Sequence, residues 1–307
     1  MKVSVIIPTF NNEATIASSI DSAFAQDPAP TEVIVVDDGS TDSTPDVIRS
    51  YGSRISVVTQ ENRGVSMARN AGAAIASGEY LAFLDADDEW MPGKLARTIP
   101  PLEKNPSATI SYSDYLEMDA KRGIEIIRGG GGAPAMSDLL SSLWPILPST
   151  VVMRRSIFEQ LGGFQSALGP GFEDSYLWLR CRELGGFEYV PAALVRYRKL
   201  DSLDKLVRYD SRRPVFIRLV QARYGSEADK LARYVRHLFG ISFLQHALSA
   251  LDENRPADAK RAIVAAFRTA PLFVSLNLAA RLLQRRNLGR VVRALGLWKT
   301  ETLSRTA

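Results

Sequence analysis

Cysteine is nearly absent from this 307-residue chain, where Cys181 stands alone. One thiol makes neither a disulfide framework nor a thiolate zinc site, and such scarcity fits a reducing compartment. Cys181 reads as a small buried apolar residue. Histidine is scarce too: His237 and His246 are remote from every acidic motif and read as helix-face residues rather than ligands. No uninterrupted apolar stretch of about 20 residues occurs. The nearest, 262–283, is broken by Arg268 and Pro271. The apolar part of Met1–Pro8 is too short for a signal peptide. Neither Gly-x-Gly-x-x-Gly nor Gly-x-x-x-x-Gly-Lys occurs, which removes the two common phosphate cradles.

What is present is an ordinary globular composition, 46% hydrophobic and 23% charged, long enough for one large domain or a domain with an appendage. The charge is unevenly spread. Residues 1–204 carry 18 Lys+Arg against 27 Asp+Glu, net −9, and residues 205–307 carry 20 against 7, net +13. A basic tail attracts nucleic acid, an anionic membrane or an acidic partner. No zinc-finger, helix-turn-helix or RNA-binding signature accompanies it, so nucleic acid is the weakest of these.

The first 90 residues alternate short apolar runs with helical spacing. Val3–Ile7, Val33–Val36, Ile55–Thr59 and Tyr80–Leu84 read as strands, with helices over 14–26, from Pro45, and over 65–77. Asn12 is a plausible N-cap of the first helix. Strand and helix in strict alternation predict a parallel sheet with right-handed crossovers. Beyond it, a helix is expected over 94–103, a strand over 108–112, and an exposed Gly-rich loop at 129–132. Trp144–Pro148 should form a wall, followed by a strand at 150–153, helices over 156–161 and 173–184, and a strand at 189–197 interrupted by Pro191. From about 205 the pattern is all helical, with a hairpin of 239–251 and 257–270 that has the rhythm of one tetratricopeptide-type unit.

Acidic or polar groups fall at successive strand ends: Pro8-Thr9, Asp37-Asp38 and Asp85-Ala86-Asp87-Asp88. Glu173-Asp174 opens a predicted helix. Ligands of open α/β sheets bind past the carboxyl ends of strands. Three carboxylates within four residues repel one another unless they share a cation, and a hard divalent ion bound by one or two of them plus a diphosphate relieves the repulsion. Arg63 and Arg69 are further candidates for phosphate contact.

Four of these stretches, in order, resemble the signatures of family 2 glycosyltransferases: Val3–Asn11, Val35–Asp42, Asn62–Gly72 and Phe83–Asp88. Gly171–Arg180 resembles the same family's later Glu-Asp motif. The resemblance covers about residues 1–200. It implies an inverting, metal-dependent enzyme with a GT-A-type, mostly parallel sheet between helices. Residues 1–204 would be the transferase domain, with 1–90 the nucleotide-sugar half and 91–204 the acceptor half. Residues 205–307 would be a basic helical extension. Pro8, Thr9 and Asp38 would line the base pocket, and Arg69 would reach the base or the diphosphate. Asp85 would face the ribose, while Asp87 and Asp88 would hold Mn²⁺ or Mg²⁺. Asp174 would be the general base and Glu173 would position the acceptor. The implied donor is a nucleotide sugar, foremost a UDP-sugar, and the acceptor a glycan or lipid-linked hydroxyl.

Many relatives carry a histidine after a Tyr-Arg pair. Here Tyr197-Arg198 is followed by Lys199, so water or diphosphate would complete the metal shell and Arg198 or Lys199 could face the phosphates. Three other readings remain. A sugar-phosphate nucleotidylyltransferase would carry a Gly-rich basic loop where Thr9–Asn12 stands. An Asp-x-Asp phosphatase would carry its motif on the first strand. A degenerate binding module would not need all the carboxylates. The tail, with Arg281, Arg285, Arg286, Arg290 and Arg293 among apolar neighbours, reads equally as a peripheral membrane contact or a dimerisation arm. The expected location is cytoplasmic, with any membrane contact at the inner face.

Overall fold

The computed structural model describes residues 2–119, 124–129, 131–141, 143–198, 202–253 and 255–270. The chain divides into two compact units, residues 1–200 with 212–228, and residues 201–211 with 229–307.

The first unit is built on one nine-stranded mixed sheet. Strands β1 (Val3–Thr9), β2 (Glu32–Asp37), β3 (Ser56–Thr59) and β4 (Tyr80–Phe83) run parallel in the order β3-β2-β1-β4. Helices α1 (Ile16–Phe24), α2 (Thr44–Ser50) and α3 (Val65–Ile75) make the crossovers. Every residue of β1 and β4 is buried, as expected of strands covered on both faces. β3 is an edge strand and largely exposed. Asn12 does not cap α1 with its side chain. Its carbonyl accepts Thr15 and Ile16 N–H, and its side-chain oxygen accepts Phe10 N–H at 3.2 Å, tightening the loop ahead of the helix.

The sheet continues through β5 (Glu89–Trp90), α4 (Lys94–Lys104), β6 (Ala108–Asp119), β7 (Ile124–Arg128), the short α5 (Met136–Leu139), β8 (Val151–Arg154), α6 (Arg155–Leu161), α7 (Glu173–Leu184) and β9 (Gly186–Arg198). β8 lies antiparallel between β4 and β6, and so joins the parallel half to the remainder. β6 and β9 are parallel and longer than their apolar runs suggest. Their register jumps from Ser113↔Val190 to Asp114↔Ala193, which loops out Pro191 and Ala192. Proline is tolerated at such a bulge because no ladder hydrogen bond is demanded of it there.

One face of the sheet buries Val5, Ile7, Val35, Ala82 and Val152 against Ile16 and Ile20 of α1 and Leu95 and Ile99 of α4. On the other face α3 lies so close that a Cβ on Gly72 would come 2.6 Å from Ile6 Cγ2. There Phe83 packs with Phe158 and Phe164, and Phe164 packs with Trp178.

The described residues of the second unit are helical. Helix α8 (Leu203–Tyr224) contributes its first half here and its second half to the first unit. α9 (Asp229–Asp252) and α10 (Pro256–Thr269) form the expected hairpin, with Ala247, Ala250 and Leu251 buried against Ala259, Ala262 and Ile263. The first arm begins at Asp229, earlier than the sequence pattern marked. Lys199 and the tail arginines Arg281, Arg285, Arg286, Arg290 and Arg293 lie outside the described residues.

Candidate active site

The carboxyl ends of β2, β1 and β4 are neighbours in the sheet, so Asp38, Thr9 and Asp85 share one edge. The first two βα loops are laced together on that rim. Asn11 Oδ1 accepts Thr41 N–H at 2.8 Å, Asn12 N–H donates to Thr44 Oγ1 at 2.8 Å, and Glu13 Oε2 accepts Ser43 N–H at 2.8 Å. Asn11 takes a left-handed φ of 54°, a conformation asparagine tolerates better than most residues.

Asp38 is buried, and both its oxygens are occupied. Oδ1 accepts Gln60 Nε2 at 2.7 Å and Arg63 N–H at 2.9 Å, and Oδ2 accepts Gly64 N–H at 2.8 Å. Its own N–H donates to Thr9 carbonyl at 2.9 Å. Asp38 thus clamps the turn that leads into α3 onto the end of β1.

Arg69, on α3, is buried and spends its fork on two carboxylates. Nη2 meets Asp85 Oδ1 at 2.6 Å and Nη1 meets Glu173 Oε1 at 3.0 Å, and the guanidinium lies over the Phe164 ring at 5.1 Å. Burial opposes its charge, but Asp85 and Glu173 outweigh burial and hold its proton more tightly than usual. Glu173 Oε2 also accepts Gly171 N–H at 2.7 Å and Phe172 N–H at 3.1 Å. One side chain thereby draws the end of β4 and the start of α7 together.

Asp174 follows at the first turn of α7 and is partly exposed. Its Oδ1 accepts Ser175 N–H at 2.6 Å. Desolvation, then repulsion from Glu173, pushes its pKa up to about 7. Asp87 is also partly exposed. Asp88 differs from it: at 1% exposure its Oδ2 accepts Ser149 Oγ at 2.6 Å and its Oδ1 accepts Arg198 N–H at 3.3 Å. Burial, then Asp85 and Asp87, hold its proton well above the ordinary carboxylate range. Ser149 Oγ in turn accepts Asp85 N–H at 3.0 Å, and the buried Lys94 donates to the next carbonyl, Thr150.

The Glycosyl transferase family 2 profile matches residues 4–162. The chain belongs to glycosyl transferase family 2. An uncharacterized glycosyltransferase of Rickettsia typhi is 30% identical over 221 residues, 68% of this chain and 69% of that protein. One of Nostoc sp. is 34% identical over 173 residues, 52% of this chain and 53% of that protein. An Escherichia coli UDP-Glc:alpha-D-GlcNAc-diphosphoundecaprenol beta-1,3-glucosyltransferase is 41% identical over 115 residues, 37% of this chain and 45% of that protein. The chain spans 53% and 34% of the length of the first two curated relatives. Among solved structures, S. aureus TarS 1–349 in complex with UDP is similar in fold, with TM-score 0.61 and 22% identity, covering 96% of this chain and 89% of that one. So is a Pyrobaculum calidifontis mannosyltransferase in complex with GDP-Man and Mn²⁺, with TM-score 0.59 and 21% identity, covering 98% and 88%.

A family 2 site with a divalent ion needs hard oxygen donors. Among the described residues no group of three or more His, Cys, Asp or Glu forms a ready cage. Asp85, Asp87 and Asp88 nevertheless crowd negative charge at one turn, where burial first and then the charges of Asp85 and Asp87 raise the proton affinity of Asp88. That donor set fits a Mg²⁺ or Mn²⁺ ion sharing one protein carboxylate with ligand oxygens. Ser149, Gln60 and Phe164 were not singled out from the sequence. Gln60 sits directly after β3, where a side-chain amide could have been marked as a rim group. Ser149 and Phe164 carry no local signal, because they hydrogen-bond Asp85 and Asn70, 64 and 94 residues away.

Proposed function

We propose that this chain is an inverting glycosyltransferase that moves a sugar from a nucleoside diphosphate to an acceptor hydroxyl. The observation that carries the reading is the Arg69 bridge between Asp85 and Glu173. It sets the acidic end of β4 beside Asp174, a carboxyl whose proton affinity lies near neutrality. A base working at neutral pH needs that match.

In this reading Pro8, Thr9 and Asp38 shape the base pocket, with Asp38 acting through the loops it clamps. Arg69 is a tie within the protein rather than a phosphate contact, and Glu173 holds α7 in place rather than the acceptor. Asp85 keeps one oxygen outside the Arg69 bridge for the ribose. Asp87, rather than the buried Asp88, holds Mn²⁺ or Mg²⁺, which when bound offsets the charge gained by the departing diphosphate. The acceptor oxygen attacks the anomeric carbon from the face opposite the diphosphate. A carbon–oxygen bond forms there as the bond to phosphate oxygen breaks, and the hydroxyl proton passes to Asp174.

The E. coli relative supports a UDP-sugar donor and a lipid-linked acceptor. Among the described residues no helix is long and apolar enough to cross a membrane. The basic segment 205–307 then serves as a peripheral contact with the anionic bilayer that carries such an acceptor. Nucleoside diphosphate release from UDP-glucose, UDP-N-acetylglucosamine and GDP-mannose, with Mn²⁺ and a polyprenyl-diphosphate-linked acceptor, tests the assignment. Turnover that Asp87→Asn and Asp174→Asn both abolish is expected. Turnover undiminished in Asp174→Asn would remove the base assignment.

A further inference from the structure

We infer that the second half of α8, Arg212–Tyr224, holds the start of α7, with Phe216 as a positioning residue for Asp174. The inference rests on the reading of Asp174 as the base.

The Phe216 ring stacks on Phe172 with centroids 4.6 Å apart and planes 16° from parallel, and both side chains are 0% exposed. Phe172 is the residue from which α7 starts. Its carbonyl accepts Tyr176 N–H at 3.0 Å and its N–H donates to Glu173 Oε2. In the segment leading into it, Gly169 and Gly171 take left-handed φ values of 58° and 112°, which only glycine adopts freely. Glu173 Oε2 holds the backbone of Phe172, and the ring of Phe216 holds its side chain.

The same half-helix makes two further contacts. Arg212 lies over Gly169, where a Cβ would come 3.2 Å from its Nε. At the far end of α7, Glu183 accepts from the Arg223 guanidinium and the Tyr224 hydroxyl. Phe216 and Val220, the buried side chains of α8, lie one turn apart on one face. At Gly169, at Phe172 and in the last turn of α7, the chain is thus met by side chains of this one half-helix. Neither α7 nor α8 falls within the residues 4–162 that the family profile matches. The buttress is thus a feature of this chain's later part.

A near-parallel ring pair is directional, whereas apolar filling is not. Phe216→Leu in the full chain keeps apolar volume and removes the ring. Expected is a fall in kcat between about 10- and 100-fold, the scale of a small misplacement of a catalytic group. KM for the donor should hold within about twofold, since ground-state binding is untouched. Phe172→Leu should give a similar loss, and the double variant no more than either single one, because both act through one contact. Amide hydrogen exchange gives a readout free of turnover: exchange should quicken over 166–176 and stay unchanged in β1 to β4. Wild-type kcat in Phe216→Leu, exchange over 166–176 unchanged, or exchange quickened uniformly would each overturn the inference. Should Asp174→Asn retain turnover, the base reading falls by itself, and the exchange experiment still decides whether α8 holds α7.

Discussion

Asp174 keeps a proton that its unfolded counterpart would surrender. With a pKa of about 7 in the fold against 3.8 as the ordinary value, the folded state binds more protons between those limits. Stability from this carboxyl is therefore full below about pH 4 and is lost as pH rises through about 7. As the proposed base, Asp174 accepts a proton only when deprotonated, so on that reading kcat/KM should rise with a midpoint near pH 7. Asp174→Asn should abolish turnover and at pH 8 should unfold later than wild type. The expected gain is about 1 kcal/mol or more, discounted for partial exposure, and urea unfolding at pH 4 and pH 8 checks it. Arg69 is the converse case. Arg69→Met strands Asp85 and Glu173 without their counter-ion and should cost about 3–5 kcal/mol by chemical denaturation, the usual scale for breaking a buried ion pair. Arg69→Lys should rescue little, since an ammonium cannot span two carboxylates as a planar fork does.

Among the elements, β1, β2 and β4 were legible because strands buried on both faces are continuous apolar runs. α7 was legible at both ends, since two acids open it and Gly185 closes it. The outer parts of β6 and β9 were not. Asp114, Glu117 and Arg196 interrupt their apolar pattern, and the two strands are held by pairing with each other rather than by local preference. The acids of the site were visible as types at strand ends, but their division of labour was not. Whether an aspartate stays partly exposed, as Asp87 does, or is sealed against Ser149, as Asp88 is, is not written in the local sequence. The contact of α3 with the sheet gives an element-scale prediction. Gly72→Ala pushes a methyl group into Ile6 and Val36 and should lower stability by about 1–3 kcal/mol, read as a lower urea midpoint at unchanged slope.

At the scale of the whole molecule, the charge split seen in the sequence falls close to where the sheet ends and the helices begin. The full chain should co-sediment with vesicles rich in anionic phospholipid, more weakly as salt rises, and should not sediment with neutral phosphatidylcholine vesicles. No sedimentation with the anionic vesicles would assign the basic segment to protein contacts instead. One of the boundaries between the two units falls inside a helix: Ser211 and Arg212 are successive residues of α8. Shortening the gene to its recognisable family portion, or grafting a foreign tail after residue 204, would therefore amputate a piece of the first unit along with the appendage. Swapped versions of this chain should keep the fold of the first unit only when the seam is moved past residue 228.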